Sequence, residues 1–119
     1  MIIVHGGAGE WNEEKLEFAK NSLIKAVEIG IEILKKYDDP ISACEEAIKV
    51  LEDDPIFNAG TGSVLNIFGE VEMDASIMRG DNLKAGAVAG VKNIKNPISL
   101  ARKIMEETEH ILISNEGAQ

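Results

Sequence analysis

Two stretches of this sequence combine residue types that could do chemistry. The first is His5-Gly6-Gly7-Ala8-Gly9, where three glycines in five residues permit backbone angles and close approaches that a Cβ would forbid. Such a loop can bring main chain against a ligand or a nucleophile. It can equally be a tight turn around a packed histidine, and the local residues leave both readings open. A phosphate loop is disfavoured, because no Gly-Lys-Ser/Thr follows and the next residues are acidic. The other histidine, His110, is far along the chain, and no Cys or carboxylate pattern of zinc-ligand spacing joins the two.

The second stretch is Phe57-Asn58-Ala59-Gly60-Thr61-Gly62-Ser63. Gly60-Thr61-Gly62 lacks the third glycine of a dinucleotide fingerprint and no strand leads into it, which argues against a nucleotide role. The Asn58 carboxamide both donates and accepts. On a constrained loop it can position a hydroxyl, a water or a substrate carbonyl, or it can stabilise its own turn. If Leu51–Thr61 curls tightly, it can point several carbonyls at one centre, an arrangement that suits a hard or alkali cation. Otherwise those carbonyls face water.

Other polar groups read more simply. Glu70, Glu72 and Asp74 alternate along a strand and share one face, expected to be solvated rather than an acid–base pair. Asp74 differs in having apolar neighbours, and if buried it would need partners, backbone N–H groups or Arg79. Glu45 and Lys49 have the i, i+4 spacing of a solvated helix pair. Cys44 is the only cysteine, so no internal disulfide can form; it is expected to be an inert core thiol.

The elements that must position these groups follow from periodicity and capping. Ile2–Val4 reads as a buried first strand. Asn12 is a cap for a helix whose apolar residues recur at Leu16, Ala19, Leu23, Ala26, Val27, Gly30 and Leu34, ending at Lys35-Lys36. Asp39-Pro40 starts a second helix with a stripe of Ile41, Cys44, Ile48 and Leu51. Val64–Ile67 and Val71–Met78 read as a hairpin turning at Gly69. Ala85–Val91 reads as a strand buried on both faces. Asn96-Pro97 precedes a helix over 98–107, Ile111–Ile113 is a final strand, and Ser114 or Asn115 caps a helix that has barely begun. The order predicts an α+β or layered α/β fold whose sheet is completed by something else.

Composition narrows the function classes. The net charge of −9, from 12 basic and 21 acidic residues, argues against binding nucleic acid or an anionic membrane surface. No apolar run is long enough to span a membrane and no secretory signal is visible, so the expectation is a cytoplasmic protein.

Five blocks in order then carry a family resemblance: Val-His-Gly-Gly-Ala-Gly, Leu-Glu-Asp-Asp-Pro-Ile-Phe-Asn-Ala-Gly-Thr-Gly-Ser-Val-Leu, Gly-Glu-Val-Glu-Met-Asp-Ala-Ser-Ile-Met, Lys-Ala-Gly-Ala-Val-Ala-Gly-Val and Asn-Pro-Ile-Ser-Leu-Ala-Arg. Together they resemble the plant-type L-asparaginases, or isoaspartyl peptidases, of the N-terminal nucleophile hydrolases. The resemblance implies the α-chain portion of an αββα sandwich, completed by a β chain whose N-terminal Thr is the nucleophile. That Thr is exposed by self-cleavage of a precursor between Gly and Thr. It further implies pairing with a second αβ unit, no organic cofactor, and a small amide or isoaspartyl dipeptide as substrate. Carried residue by residue, Asn58 matches an accessory Asn near the nucleophile, and His5, Gly6 and Gly7 match a loop implicated in self-processing. Leu51, Glu52, Asp54, Phe57, Ala59 and Thr61 match a loop that binds a structural sodium ion through main-chain oxygens. The family's cleavage segment has no counterpart up to Gln119; the one Gly-Thr is Gly60-Thr61. The expectation is an α chain with a separate partner, or a fragment, inactive alone in either form. A related hydrolase such as a glycosylasparaginase or threonine endopeptidase, or a non-catalytic binding module, remains an alternative.

Overall fold

Asn12 accepts the Lys15 N–H at 2.8 Å and opens helix α1 (Glu13–Tyr37) in the computed structural model, which describes residues 1–118. Glu13 and Glu14 lie at its positive end, and Lys35 and Lys36 at its negative end. Asp38, in the left-handed region at φ 50°, stops the helix. Asp39 then caps helix α2 (Pro40–Asp53): it accepts the Ile41 N–H at 3.1 Å and the Ser42 hydroxyl. The two-residue connection makes α1 and α2 antiparallel neighbours. Their seam is lined by small buried residues, Ala19, Ala26 and Gly30 from α1 and Ala43 and Ala47 from α2, which let the backbones come close.

The remainder forms a second layer. Strands β1 (Met73–Met78) and β2 (Ala85–Val91) pair antiparallel, with Ser76 opposite Ala87. A register shift between Met73 and Ala75 matches the left-handed Gly90 (φ 64°), whose N–H is accepted by Asp74 Oδ1 at 2.8 Å. Strand β3 (Leu112–Ser114) adds parallel to β2, giving the order β1-β2-β3. Helix α3 (Pro97–Glu107) supplies the crossover from β2 to β3 and covers one sheet face. Met73, Ile77, Val88, Val91, Ile98, Ala101, Ile104 and Met105 form the core between them. The architecture is α+β. Among the described residues no helix is long and apolar enough to cross a membrane.

Several expectations need correcting. Residues 1–6 are not a strand: no neighbouring chain segment offers them a ladder, and Ile3 is exposed. They alternate inward and outward all the same, and Ile2 packs on Gly30 of α1, where a Cβ would lie 2.2 Å from Ile2 Cδ1. Only the turn of the 64–78 hairpin forms as read. Gly69 (φ 75°) supplies it and Leu65 bridges Val71, but the second arm pairs with β2 instead. β2 is buried on its α3 side and half-exposed on the other. Of the stripe read on α2, Ile41 is buried in the core and Leu51 is half-buried, but Cys44 and Ile48 are exposed, because α2 turns Ala43 and Ala47 to α1. Asp74 is exposed too, though its partner is a backbone N–H as expected; Arg79 pairs with Asp81 at 3.0 Å. The last element is a short 3₁₀ turn, Asn115–Ala118.

Glu45 does not pair with Lys49, which takes Glu46 at 2.8 Å instead. Glu45 reaches across to α3, where it accepts from Ser99 at 2.6 Å and from Arg102 at 2.7 Å. Arg102 also donates to Ser42 and Glu106, each at 2.9 Å. Burial pushes the Glu45 carboxyl up, but the Ser99 and Arg102 hydrogen bonds outweigh it and hold the group below its usual range. This cluster ties the helix hairpin to the second layer.

Helix α3 lies so close to β2 that a Cβ on Gly86 would fall 2.1 Å from the Ala101 carbonyl oxygen and 2.5 Å from the Met105 nitrogen. Gly86→Ala is therefore expected to destabilise the protein by about 1–3 kcal/mol or more. The measurement is urea unfolding, where the midpoint falls at constant slope; an unchanged midpoint would show that α3 retreats at no cost.

Candidate functional site

The glycine loop and the Asn58 loop meet at one end of α1. Gly6 presses directly on the buried Phe57 ring: a Cβ there would stand 2.9 Å from Phe57 Cε1. The Gly7 N–H, at φ 105°, donates to His5 Nδ1 at 3.2 Å. His5 thus acts as the acceptor at Nδ1. Trp11, half-buried, donates its indole N–H to the Gly7 carbonyl at 3.3 Å and meets Phe57 edge-on, with centroids 5.9 Å apart and planes at 67°. A cleft of about 750 Å³ opens between the two loops, lined by His5, Gly7, Trp11, Phe57, Asn58 and Val64 among others.

Asn58 is exposed, and its Oδ1 accepts the Val64 N–H at 2.9 Å, closing the loop over residues 58–64. The side chain therefore does stabilise its own turn. That bond also fixes the carboxamide plane and leaves Nδ2 as a donor aimed away from the loop closure. Both sequence readings of Asn58 are compatible with one orientation.

The end of α2 explains the shape of residues 51–63. Pro55 has no N–H, so the Leu51 carbonyl loses its helical i+4 partner. The Ile56 N–H turns to Asp54 Oδ1 at 3.0 Å instead of continuing the ladder to Glu52. Asp54 is anchored in turn by the Ser22 hydroxyl of α1. The chain then folds back on itself. A Cβ on Gly60 (φ 52°) would lie 2.3 Å from the Glu52 carbonyl oxygen, and one on Gly62 would lie 2.1 Å from that of Phe57. The Asp54 and Ala59 carbonyls each accept one backbone N–H, from Phe57 at 3.3 Å and Gly62 at 3.0 Å, and keep a second lone pair. The Glu52, Pro55 and Phe57 carbonyl oxygens lie against the Gly60–Gly62 turn beyond the C-terminal end of α2. Among the described residues no group of three or more His, Cys, Asp or Glu is placed to hold a metal.

The Glu52 side chain faces the other way, and its role was not legible in the sequence. At 3% exposure it is the one buried charged residue among those described. Oε1 accepts the Ile98 N–H at 3.0 Å and Oε2 accepts Asn96 Nδ2 at 3.0 Å. Burial pushes its carboxyl above the usual range, against the pull of those two hydrogen bonds. Glu52 thereby caps α3 in place of Asn96, whose side chain makes no cap bond and instead donates through Nδ2 to Glu52 and Asp53. The one hint in the sequence was an Asn-Pro helix start facing an acidic helix end. Nothing in the pattern singled out Trp11. His110 lies exposed near the start of β3 and is outside the cleft, as is Cys44. Glu70 and Glu72 pair with Lys92 at 2.5 and 3.6 Å on a solvated face.

The sequence profile of a family described as Asparaginase matches residues 1–119. The chain is 59% identical over 118 residues to the plant-type L-asparaginase of Pyrococcus horikoshii, an alignment that covers 98% of this chain and 38% of that protein. It is 51% identical over 118 residues to the isoaspartyl peptidase/L-asparaginase of Xenopus laevis, covering 99% of this chain and 38% of the other. The human isoaspartyl peptidase/L-asparaginase is 49% identical over 119 residues, covering 99% of this chain and 39% of its own length. The chain thus spans under two-fifths of these relatives.

The Glu52 cap yields a stability prediction. Glu52→Ala leaves the Ile98 N–H without its acceptor and the Asn96 amide with Asp53 alone, and is expected to cost about 2–3 kcal/mol. Glu52→Gln, whose carboxamide oxygen still accepts the Ile98 N–H, is expected to recover most of that. Chemical denaturation of the two variants side by side is the check, and equal losses in both would refute the capping role.

Proposed function

This chain belongs to the asparaginase family, and from that premise we propose that it is the α portion of an amidohydrolase that cleaves the side-chain amide of L-asparagine and β-aspartyl peptides. The observation that carries the reading is the identity of 49–60% with proteins named for these two activities, spread over nearly the whole chain. The cleft between the two glycine-rich loops is where that reading puts the chemistry.

In this proposal a β segment contributes the nucleophile, the hydroxyl of an N-terminal Thr. Its own α-amine, with an ordinary pKa of about 7.7–8, accepts the hydroxyl proton. The Thr oxygen bonds to the substrate carbonyl carbon, and the C–N bond then breaks with the proton passing to the departing ammonia or amino acid. Water hydrolyses the resulting ester and regenerates Thr. Asn58 serves as an accessory group: its Nδ2 donates to the Thr hydroxyl or the substrate carbonyl while Oδ1 stays tied to Val64. His5, Gly6 and Gly7 form the loop beside the self-cleavage site. The exposed sheet edges and outward apolar residues of α1 and α2 are covered by the β segment, and two such αβ units pair.

Leu51, Glu52, Asp54, Phe57, Ala59 and Thr61 would hold a sodium ion by their main-chain oxygens. Such an ion supplies positive charge to a helix end crowded with carbonyls, and its role is structural. The assembled enzyme is expected to melt several degrees lower when sodium is replaced by choline at equal ionic strength. If sodium stands a hundredfold above its dissociation constant, the loss is about 2.7 kcal/mol. Identical calorimetric midpoints in the two salts would remove the ion from the account.

The central test is assay of the full-length protein for ammonia from L-asparagine and for aspartate from β-aspartyl dipeptides. Turnover of both is expected from the processed protein, and none from residues 1–119 alone. Asn58→Ala is expected to lower kcat by about 10²-fold, the scale of losing one transition-state donor, with the fold intact by circular dichroism. A folded, processed wild type that turns over neither substrate would overturn the assignment; wild-type rates in Asn58→Ala would remove that residue from the site.

A further inference from the structure

We propose that Trp11 is a positioning residue: it clasps the His5–Gly9 loop onto the Asn58 loop, and self-cleavage and turnover depend on that clasp more than folding does. The inference rests on the reading just given, that these two loops flank the reactive threonine.

Gly7 carries the argument. With φ at 105° it belongs to no helix or strand, so no backbone ladder fixes its peptide groups. Side chains hold both of its polar groups instead. His5 Nδ1 accepts its N–H at 3.2 Å, and the Trp11 indole N–H donates to its carbonyl at 3.3 Å. The orientation of the loop is therefore set by two rings, one on either side of it. The Trp11 ring does a second job, since its edge contact with Phe57 runs to the residue next to Asn58. Gly6 touches the same Phe57 ring directly. Phe57 is thus gripped by the glycine loop and by Trp11, and Trp11 engages both loops at once: Gly7 through its N–H and Phe57 through its ring.

This clasp is separable from the fold. Trp11 precedes the Asn12 cap and lies outside α1, and it is not part of the core that joins α3 to the sheet. Removing it leaves the helix cap, the helix seam and the sheet untouched, while the glycine loop loses the bond that aims its carbonyl. A shift of about 1 Å in a group beside reacting atoms costs on the order of a hundredfold in rate.

The test uses the full-length precursor with two variants. Trp11→Phe keeps a ring against Phe57 but removes the N–H; Trp11→Ala removes both. Self-cleavage is followed on denaturing gels, and kcat and KM are measured on the processed fraction. The expected result is graded: cleavage rate and kcat fall by about tenfold in Trp11→Phe and by about a hundredfold in Trp11→Ala. KM stays within about twofold, and the melting temperature drops by no more than a few degrees. Should Trp11→Ala fail to fold, Trp11→Phe alone decides. Rates within twofold of wild type, or losses that merely follow the folded fraction, overturn the proposal. A wild type that neither cleaves nor hydrolyses would instead undo the functional reading. In that case amide hydrogen exchange still judges the clasp: Trp11→Ala must speed exchange in both 5–9 and 57–63, and unchanged exchange in either segment overturns it.

Discussion

A single buried carboxylate holds the two layers of this chain in register. Glu52 ends the helix hairpin, and an ionisable group so deeply enclosed is tolerated only if its oxygens find donors. They find them in Ile98 and Asn96, at the start of the helix that covers the sheet. The main-chain oxygen of the same residue lies against Gly60 on its other side, where a Cβ would not fit. One residue thus connects α2, α3 and the loop that carries Asn58. The part-buried Glu45–Arg102 cluster repeats the α2–α3 link farther up the helices.

Local signals were legible wherever the backbone alone decided the outcome. Asn12, Asp39-Pro40 and Asn96-Pro97 marked the helix starts, Gly69 marked the turn, and Ala85–Val91 was read to the residue. Failures came where a partner decided. Ile41 of the stripe Ile41, Cys44, Ile48 and Leu51 is in the core as read, but Cys44 and Ile48 are not, because Ala43 and Ala47 have helical spacing too and close packing against Gly30 of α1 selects the alanines. Spacing cannot say which of two apolar faces a neighbour will take. Ile2–Val4 has strand composition without a strand to pair with. Lys49 and Glu45 have the right separation, yet Arg102 offers Glu45 a better geometry from another helix.

The candidate site divides the same way. Its two glycine-rich loops and Asn58 could be named in advance, because glycine spacing and an isolated carboxamide are local features. That the loops share the Phe57 ring could not, since Gly6 and Phe57 are brought together by α1 and α2 folding back on one another. The family blocks supplied the chemistry that neither loop states on its own. The tight packing of Gly6, Gly60 and Gly62 against neighbouring atoms supplies a reason for three of those glycines.

Strand β2 is thin where α3 crosses Gly86. Gly86 lets α3 rest on backbone, and Ala85, Ala87 and Ala89 present only methyl groups to the opposite side. At that crossing the spacing between layers is set by main-chain contact, while Val88 and Val91 fill the rest of the core with side chains. Any relative motion of α3 must then be shear along the strand, a rigid sliding of helix over sheet, and the cap at Ile98 sits where such a slide would first be felt.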